Sequence, residues 1–230
     1  MKIQNHKNTI ITLTEKMNSK EKFAFVNFPR SALVSLTNDG NEKRVNKYFS
    51  KAIKNSFEIQ DSNYLKALPA SFITSSEEGS KMNIASIAKN NVYCDSTTLE
   101  YYFSSKEDIF KSFVNHYIRN TPFVIVSFHD KKMISQTIGN PVGVINVPYN
   151  DFYDKVDSIF AQIAEYEGKV DYCLFDCPLL SSALPYKIWN ELNMSMIDLG
   201  KVFSYARSNY LNKMKEREND KKERFSHSQR

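Results

Sequence analysis

Four apolar runs in the second half of the chain each end at a polar or turn residue of a kind that does chemistry. Thr121–Phe128 runs into His129-Asp130, Val142–Val147 into Pro148, Val170–Phe175 into Asp176, and Met194–Ile197 into Asp198. Segments long enough for crossover helices separate them, which is the pattern of a parallel α/β sheet. Val170–Phe175 is almost continuously apolar, as a strand covered on both faces is. Ligands of such sheets bind at the carboxyl ends of the strands. The pattern therefore locates a site before it says what the site does.

The rest of the chain fits around these runs. Tyr149–Tyr166 carries Phe152, Val156, Ile159, Phe160 and Ile163 at helical spacing and stops at Gly168. Lys131–Thr137, Ser181–Leu192 and Leu199–Met214 read as helices, and Lys106–Arg119 as an amphipathic one with Ile109, Phe110, Phe113 and Tyr117 on one side. The first half is less regular. Lys22–Phe28 reads as a strand stopped by Pro29, Glu42–Phe57 as a helix, Leu65–Ile73 as a segment with a short strand, Met82–Lys89 as a helix and Val92–Cys94 as a strand. These elements divide the chain into an N-terminal extension (1–19), one α/β domain (20–212) and a charged C-terminal tail (213–230).

No apolar stretch approaches the roughly 20 residues of a membrane span. The opening MKIQNHKNTI has no apolar signal core, which makes the cytoplasm the default address. Cys94, Cys173 and Cys177 are an odd number with no CxxC, so they read as buried free thiols rather than a disulfide framework or zinc site. Part of the net charge of +5 sits in the tail, with seven Lys/Arg against four Asp/Glu from Lys213 to Arg230. That run reads as a solvated helix end. Its sharper reading is an arm that contacts nucleic-acid phosphates, with nothing in it to read bases.

GxGxxG, the P-loop pattern, HExxH and GxSxG are all absent, and only six glycines occur. Of four histidines, His129 stands directly after a strand; its other reading is an ordinary loop residue. Asp198-Leu199-Gly200-Lys201 places a carboxylate at a strand end, then a glycine, then a cation. The glycine permits close backbone approach, and a helix starting near Leu199 offers unpaired amides to a phosphate. Asp198 also reads as the N-cap of that helix, and Asp176 as a cap or turn residue before Pro178.

At these residues the chain resembles the GT-D-fold glycosyltransferases. Val170–Trp189 with Ser195–Lys201 is similar to the family's closing strand, small-residue turn, helix and short strand ending in Asp-aliphatic-Gly-His. Val144–Tyr153 resembles its strand-to-proline segment, and Val26–Leu33 falls where the family carries Arg-Phe-Gly-Asp-Gly-Glu-Leu. The order and spacing agree over roughly Lys20 to Tyr205. The resemblance implies a Rossmann-like, mostly parallel sheet with helices on both faces. It also implies transfer of a sugar from a nucleotide-sugar, a UDP-sugar by resemblance, to a hydroxyl of a glycan or other acceptor.

The family's Asp-x-Glu binds a divalent metal, and Arg30, Ser31 and Ala32 stand at the aligned positions, so a metal cofactor is doubtful here. The family's leading Arg aligns with Asn27 and its closing His with Lys201. Arg30 and Lys201 then supply fixed charge to the donor diphosphate in place of a metal, with Asn27 and Gly200 beside them. Asp198 is the favoured general base, ahead of Asp176 and His129. Pro148 and Tyr149 lie where the donor base or sugar would rest; Tyr149 also reads as core lining. Two alternatives stand beside this reading. One is a binding protein on a degenerate glycosyltransferase fold; the other is a sugar transferase acting on modified bases of DNA.

Overall fold

Short strands that are buried at nearly every position must be covered on both sides. Such are β2 (Ala24–Asn27), β5 (Phe123–Ser127), β7 (Tyr172–Asp176) and β8 (Ser195–Asp198). The computed structural model describes residues 2–37, 47–70, 92–148, 152–177 and 179–209. With β1 (Lys2–Ile3), β3 (Tyr64–Leu68), β4 (Val92–Asp95) and β6 (Gly143–Asn146), these strands form an eight-stranded sheet among the described residues. Its order is β1-β4-β3-β2-β8-β7-β5-β6. Every neighbouring pair is parallel.

Period-2 alternation along each strand divides the core in two. One face carries Ala24, Val26, Val124, Val126, Cys173, Phe175 and Met196. Against it pack α2 (Arg30–Thr37), α3 (Lys47–Glu58), α7 (Val156–Ala164), α8 (Leu180–Ala183) and α9 (Pro185–Glu191). The other face carries Phe23, Phe25, Phe123, Ile125, Leu174 and Ile197. It is covered by α1 (His6–Ser19), α4 (Thr98–Ser105), α5 (Glu107–Phe113), α6 (Lys131–Thr137) and a helix over 202–209, called α10.

These placements follow from right-handed crossovers. Steps toward the β1 edge (β2 to β3, β6 to β7, β7 to β8) carry their helices on the first face. Steps toward the β6 edge (β1 to β2, β4 to β5, β5 to β6) carry theirs on the second. The four central strands therefore send their chains alternately to opposite faces: β2 to α2, β8 to α10, β7 to α8 and β5 to α6. That alternation opens a crevice along their carboxyl ends.

Several sequence expectations change at the boundaries. Residues 2–19 are not an appendage: β1 pairs with β4, and Leu13 and Met17 of α1 are buried in the second core layer. The predicted helix over Lys106–Arg119 is α5 followed by a π turn, Val114–Ile118. Its core side is Phe110, Phe113, Val114 and Ile118, and Ile109 is 49% exposed because it lies beside that stripe rather than on it. The long helix predicted from Tyr149 begins as a 3-10 turn at Tyr153–Lys155, and Ser181–Leu192 is two short helices joined at Leu184-Pro185. The helix predicted over Met82–Lys89 and the tail from 213 lie outside the described residues. The three cysteines are buried free thiols, as expected.

Leu13→Ala tests whether α1 belongs to the core. Leu13 is fully buried, so urea unfolding should show a loss of about 2–5 kcal/mol. A loss under about 1 kcal/mol would mean that the helix is a dispensable attachment.

Candidate active site at the strand ends

Asn27, Asp198, Asp176 and Ser127 end the four central strands, side by side in the sheet. All four side chains are buried. The register pairs Phe175 with Asp198 and Ser127 with Asp176. By alternation, Asp198 points to the face of Phe175 and α8, while Ser127 and Asp176 point to the face of α6 and α10. The two aspartates are thus members of two different networks.

Asp198 is 2% exposed. Its Oδ1 accepts the Gly200 amide at 2.8 Å in a local turn, and Gly200 holds φ +62°, the left-handed region. Its Oδ2 is buried and accepts no hydrogen bond of ordinary geometry among the described residues, although the Ser181 hydroxyl and the Asn27 backbone amide act on the carboxylate and favour its charged form. Burial outweighs these donors, and the carboxyl is pushed up to about 7, with a further upward push from Glu100. Asn27 Oδ1 is likewise buried without a partner among the described residues. Ser182 donates its hydroxyl to the Asn27 carbonyl at 2.9 Å, which ties α8 to the end of β2.

On the other face, the Ser127 hydroxyl donates to Asp176 Oδ2 at 2.9 Å, and the same oxygen is 3.5 Å from His129 Nε2. The His129 amide donates to Ser127 Oγ at 2.9 Å, which fixes the loop that carries the imidazole. Asp130, next in sequence, caps α6 by accepting the Met133 amide at 2.8 Å. Burial pushes Asp176 up to about 8, against the Ser127 hydrogen bond, and Asp198 adds to the rise. Burial, then the charge of Arg207, holds His129 below its ordinary value, with Asp130 opposing. The raised acid and the lowered base both disfavour an ion pair at this contact.

The helix start that the sequence puts near Leu199 lies three residues later. The helix begins at 202, and the two amides before it are taken. Gly200 donates to Asp198, and Lys201 donates to Glu100 Oε1 at 2.9 Å. Asp198 accordingly makes a turn onto Gly200 instead of capping the helix. Asp176 is engaged with the Ser127 hydroxyl instead. Gly200 has a second constraint: a Cβ there would come 2.6 Å from Glu100 Oε1.

Glu100, missed in the sequence, belongs to α4 and reaches β8 across 101 residues. A further pair lies at the end of β4. Asp95 Oδ2 is 3.6 Å from His6 Nδ1, whose ring stacks on Tyr101 at 4.3 Å. The rule that found Asp176 and Asp198 also finds Asp95, an acid ending an apolar run. His6 has no such signal, because α1 itself has few apolar positions.

The two predicted cations sit at matching places. Arg30 is three residues past the end of β2 and Lys201 three past the end of β8, on neighbouring parallel strands, and both are exposed. Pro148 is exposed after the edge strand β6, three strand spacings from β8, roughly 14 Å. Tyr149 lies outside the described residues. Two clefts lie elsewhere, one of about 480 Å³ between α5, α6 and α10 and one of about 570 Å³ at the amino ends of β2, β7 and β8. None of the strand-end residues lines either of these two.

No family model matches the chain, and no curated protein matches it. Solved structures do. A glycosyltransferase (DUF1792) from Streptococcus sanguinis superposes with a TM-score of 0.71 at 12% identity, over 92% of this chain and 85% of that one. A DUF1792 domain reported to have a distinct glycosyltransferase fold gives 0.67 at 13% identity, over 92% and 82%. The chain has the GT-D glycosyltransferase fold. At such identity the likeness is one of architecture, and residue roles must come from this chain.

A divalent metal does not fit the residues present where the resemblance would put its ligands. Arg30 and Ser31 are exposed, and Ala32 is fully buried in the apolar core. Among the described residues no group of three or more His, Cys, Asp or Glu side chains is arranged to hold a metal ion.

Asp198 offers a direct check on this electrostatic picture. A carboxyl that holds its proton more tightly folded than unfolded leaves stability untouched below about pH 4 and erodes it as pH rises through about 7. Asp198→Asn removes that loss. Its melting temperature relative to wild type should climb between about pH 4 and pH 7 and level off above. A difference that stays flat across that range would contradict a buried, proton-holding Asp198.

Proposed function

We propose that the chain transfers a sugar from a nucleotide-sugar, a UDP-sugar by resemblance, to an acceptor hydroxyl without a bound metal. The observation that carries this reading is the equivalent placement of Arg30 and Lys201 after adjacent strands of a glycosyltransferase fold, at its switch point. A departing diphosphate needs positive charge near its oxygens, and a guanidinium with an ammonium supplies it. The floor between them cancels that charge only in part, because near neutrality Asp176, pushed up to about 8, is mostly protonated and Asp198, pushed up to about 7, is about half protonated. Phosphate contact falls to the two side chains, since the Gly200 and Lys201 amides are already engaged.

The DNA-base alternative draws on the basic tail, which lies outside the described residues, and no observation at the strand ends favours it. A binding protein on the same fold would keep donor affinity without turnover.

The test is donor hydrolysis and transfer over a panel of nucleotide-sugars, with and without EDTA. The expected result is turnover that EDTA leaves unchanged and that falls about tenfold or more in Arg30→Gln and in Lys201→Gln. Activity abolished by EDTA and restored by manganese would sink the metal-independent reading. Binding with no turnover would favour the degenerate one.

A further inference from the structure

A transfer to a hydroxyl needs a group to take the hydroxyl's proton, and three side chains at the strand ends compete for that role. Asp198 is poorly placed. It is 2% exposed, one of its oxygens is committed to Gly200, and it ends the same strand that leads to Lys201, on the leaving group's side. Asp176 is 4% exposed and already accepts from Ser127. His129 differs: its side chain is 15% exposed, more than that of either acid.

Its mounting is also specific. Nε2 faces Asp176 Oδ2 at 3.5 Å, Ser127 joins the two by hydrogen bonds to both sides, and the ring packs 5.7 Å from Phe203 of α10. Nδ1 has no hydrogen bond among the described residues. β5 stands two strand spacings from β8, roughly 10 Å. That leaves room for a sugar ring and the hydrogen-bonded contacts on either side of it.

We propose that His129 is the general base of the transfer and that Asp176 is its positioning residue; this rests on the transferase reading above. The acceptor oxygen forms its bond to the anomeric carbon while the bond from that carbon to the diphosphate oxygen breaks. The leaving electron pair goes to the nucleoside diphosphate. The acceptor proton goes to His129 Nδ1, and the Nε2–H bond to Asp176 steadies the imidazolium that results. Asp176 touches neither substrate and acts through the ring.

The groups facing the pair are Ser127 and Asp130 from the β5 end, Asp198 and Cys177 beside Asp176, and Phe203 and Arg207 from α10. The pair becomes a base only after losing its shared proton. With the buried acid raised to about 8, activity should climb with pH from neutrality toward that value. Without the carboxyl, the imidazole stands alone and below its ordinary range, so the rising limb moves to lower pH.

The experiment compares wild type with His129→Ala, Asp176→Asn and Asp198→Asn in pH–rate profiles, and adds imidazole to His129→Ala. The expected results are a loss of about 100-fold or more in His129→Ala with partial rescue by imidazole. Asp176→Asn should lose activity with its rising limb displaced to lower pH. Folded His129→Ala with activity within about threefold of wild type would overturn the assignment. So would a profile unmoved in Asp176→Asn, or a loss confined to Asp198→Asn. A second readout needs no turnover. In nitrogen NMR, His129 should titrate as part of a pair, with its Nε2 signal altered in Asp176→Asn; a free-imidazole titration indifferent to that substitution also overturns it. A wild type that turns over no donor while showing the paired signature counts against the transferase reading and not against the pair.

Discussion

Everything at the candidate site depends on the handedness of parallel crossovers. Once each connection is right-handed, the direction of travel along the sheet decides which face its helix covers. This chain reverses direction repeatedly around its centre. The exits from β2 and β7 therefore go to one face and that from β5 to the other, while the chain after β8, the last described strand, packs Val202 and Phe203 on the face of α6. A polar residue that ends such a strand is gripped by the sheet on its backbone side and stands at a crevice on the other.

The electrostatics follow from that position. Asp95, Glu100, Asp198 and Asp176 form a chain of carboxyls in which each raises the proton affinity of the next, and a histidine stands at each end, His6 beside Asp95 and His129 beside Asp176. Burial in low dielectric is the larger cause for Glu100, Asp198 and Asp176, and mutual repulsion adds to it. Near neutrality Asp176, pushed up to about 8, holds most of its proton and Asp198, pushed up to about 7, about half of it. Arg30 and Lys201 are exposed past the ends of β2 and β8, and Asp198 anchors the turn onto Gly200. Glu100 and Asp198 share one such task, holding the consecutive amides of Lys201 and Gly200 in the turn that leads to α10.

The parts that were legible in the sequence are those governed by local rules. The apolar runs before His129, Asp176 and Asp198 became β5, β7 and β8, and Asp130 with the segment after it gave α6 at its predicted bounds, Lys131–Thr137. The parts that were hidden are governed by partners far along the chain. Glu100 lies on an ordinary-looking helix and matters because β8 folds back beside it. His6 is a terminal residue until β1 docks on β4. Asp198 read as an accessible base because its strand-end position was visible while α8, which buries it, was not. The matching offsets of Arg30 and Lys201 from their strands were present in the sequence, but only the pairing of β2 with β8 gives them meaning.

A crystal structure of the chain with bound uridine diphosphate, grown without divalent metal, addresses the central claim most directly. The account predicts both phosphates over the ends of β2 and β8, in contact with the Arg30 guanidinium and the Lys201 ammonium. Phosphates seated instead in the cleft at the amino ends of β2, β7 and β8, or bound only when a metal ion is supplied and held by carboxylates of the chain, would contradict it.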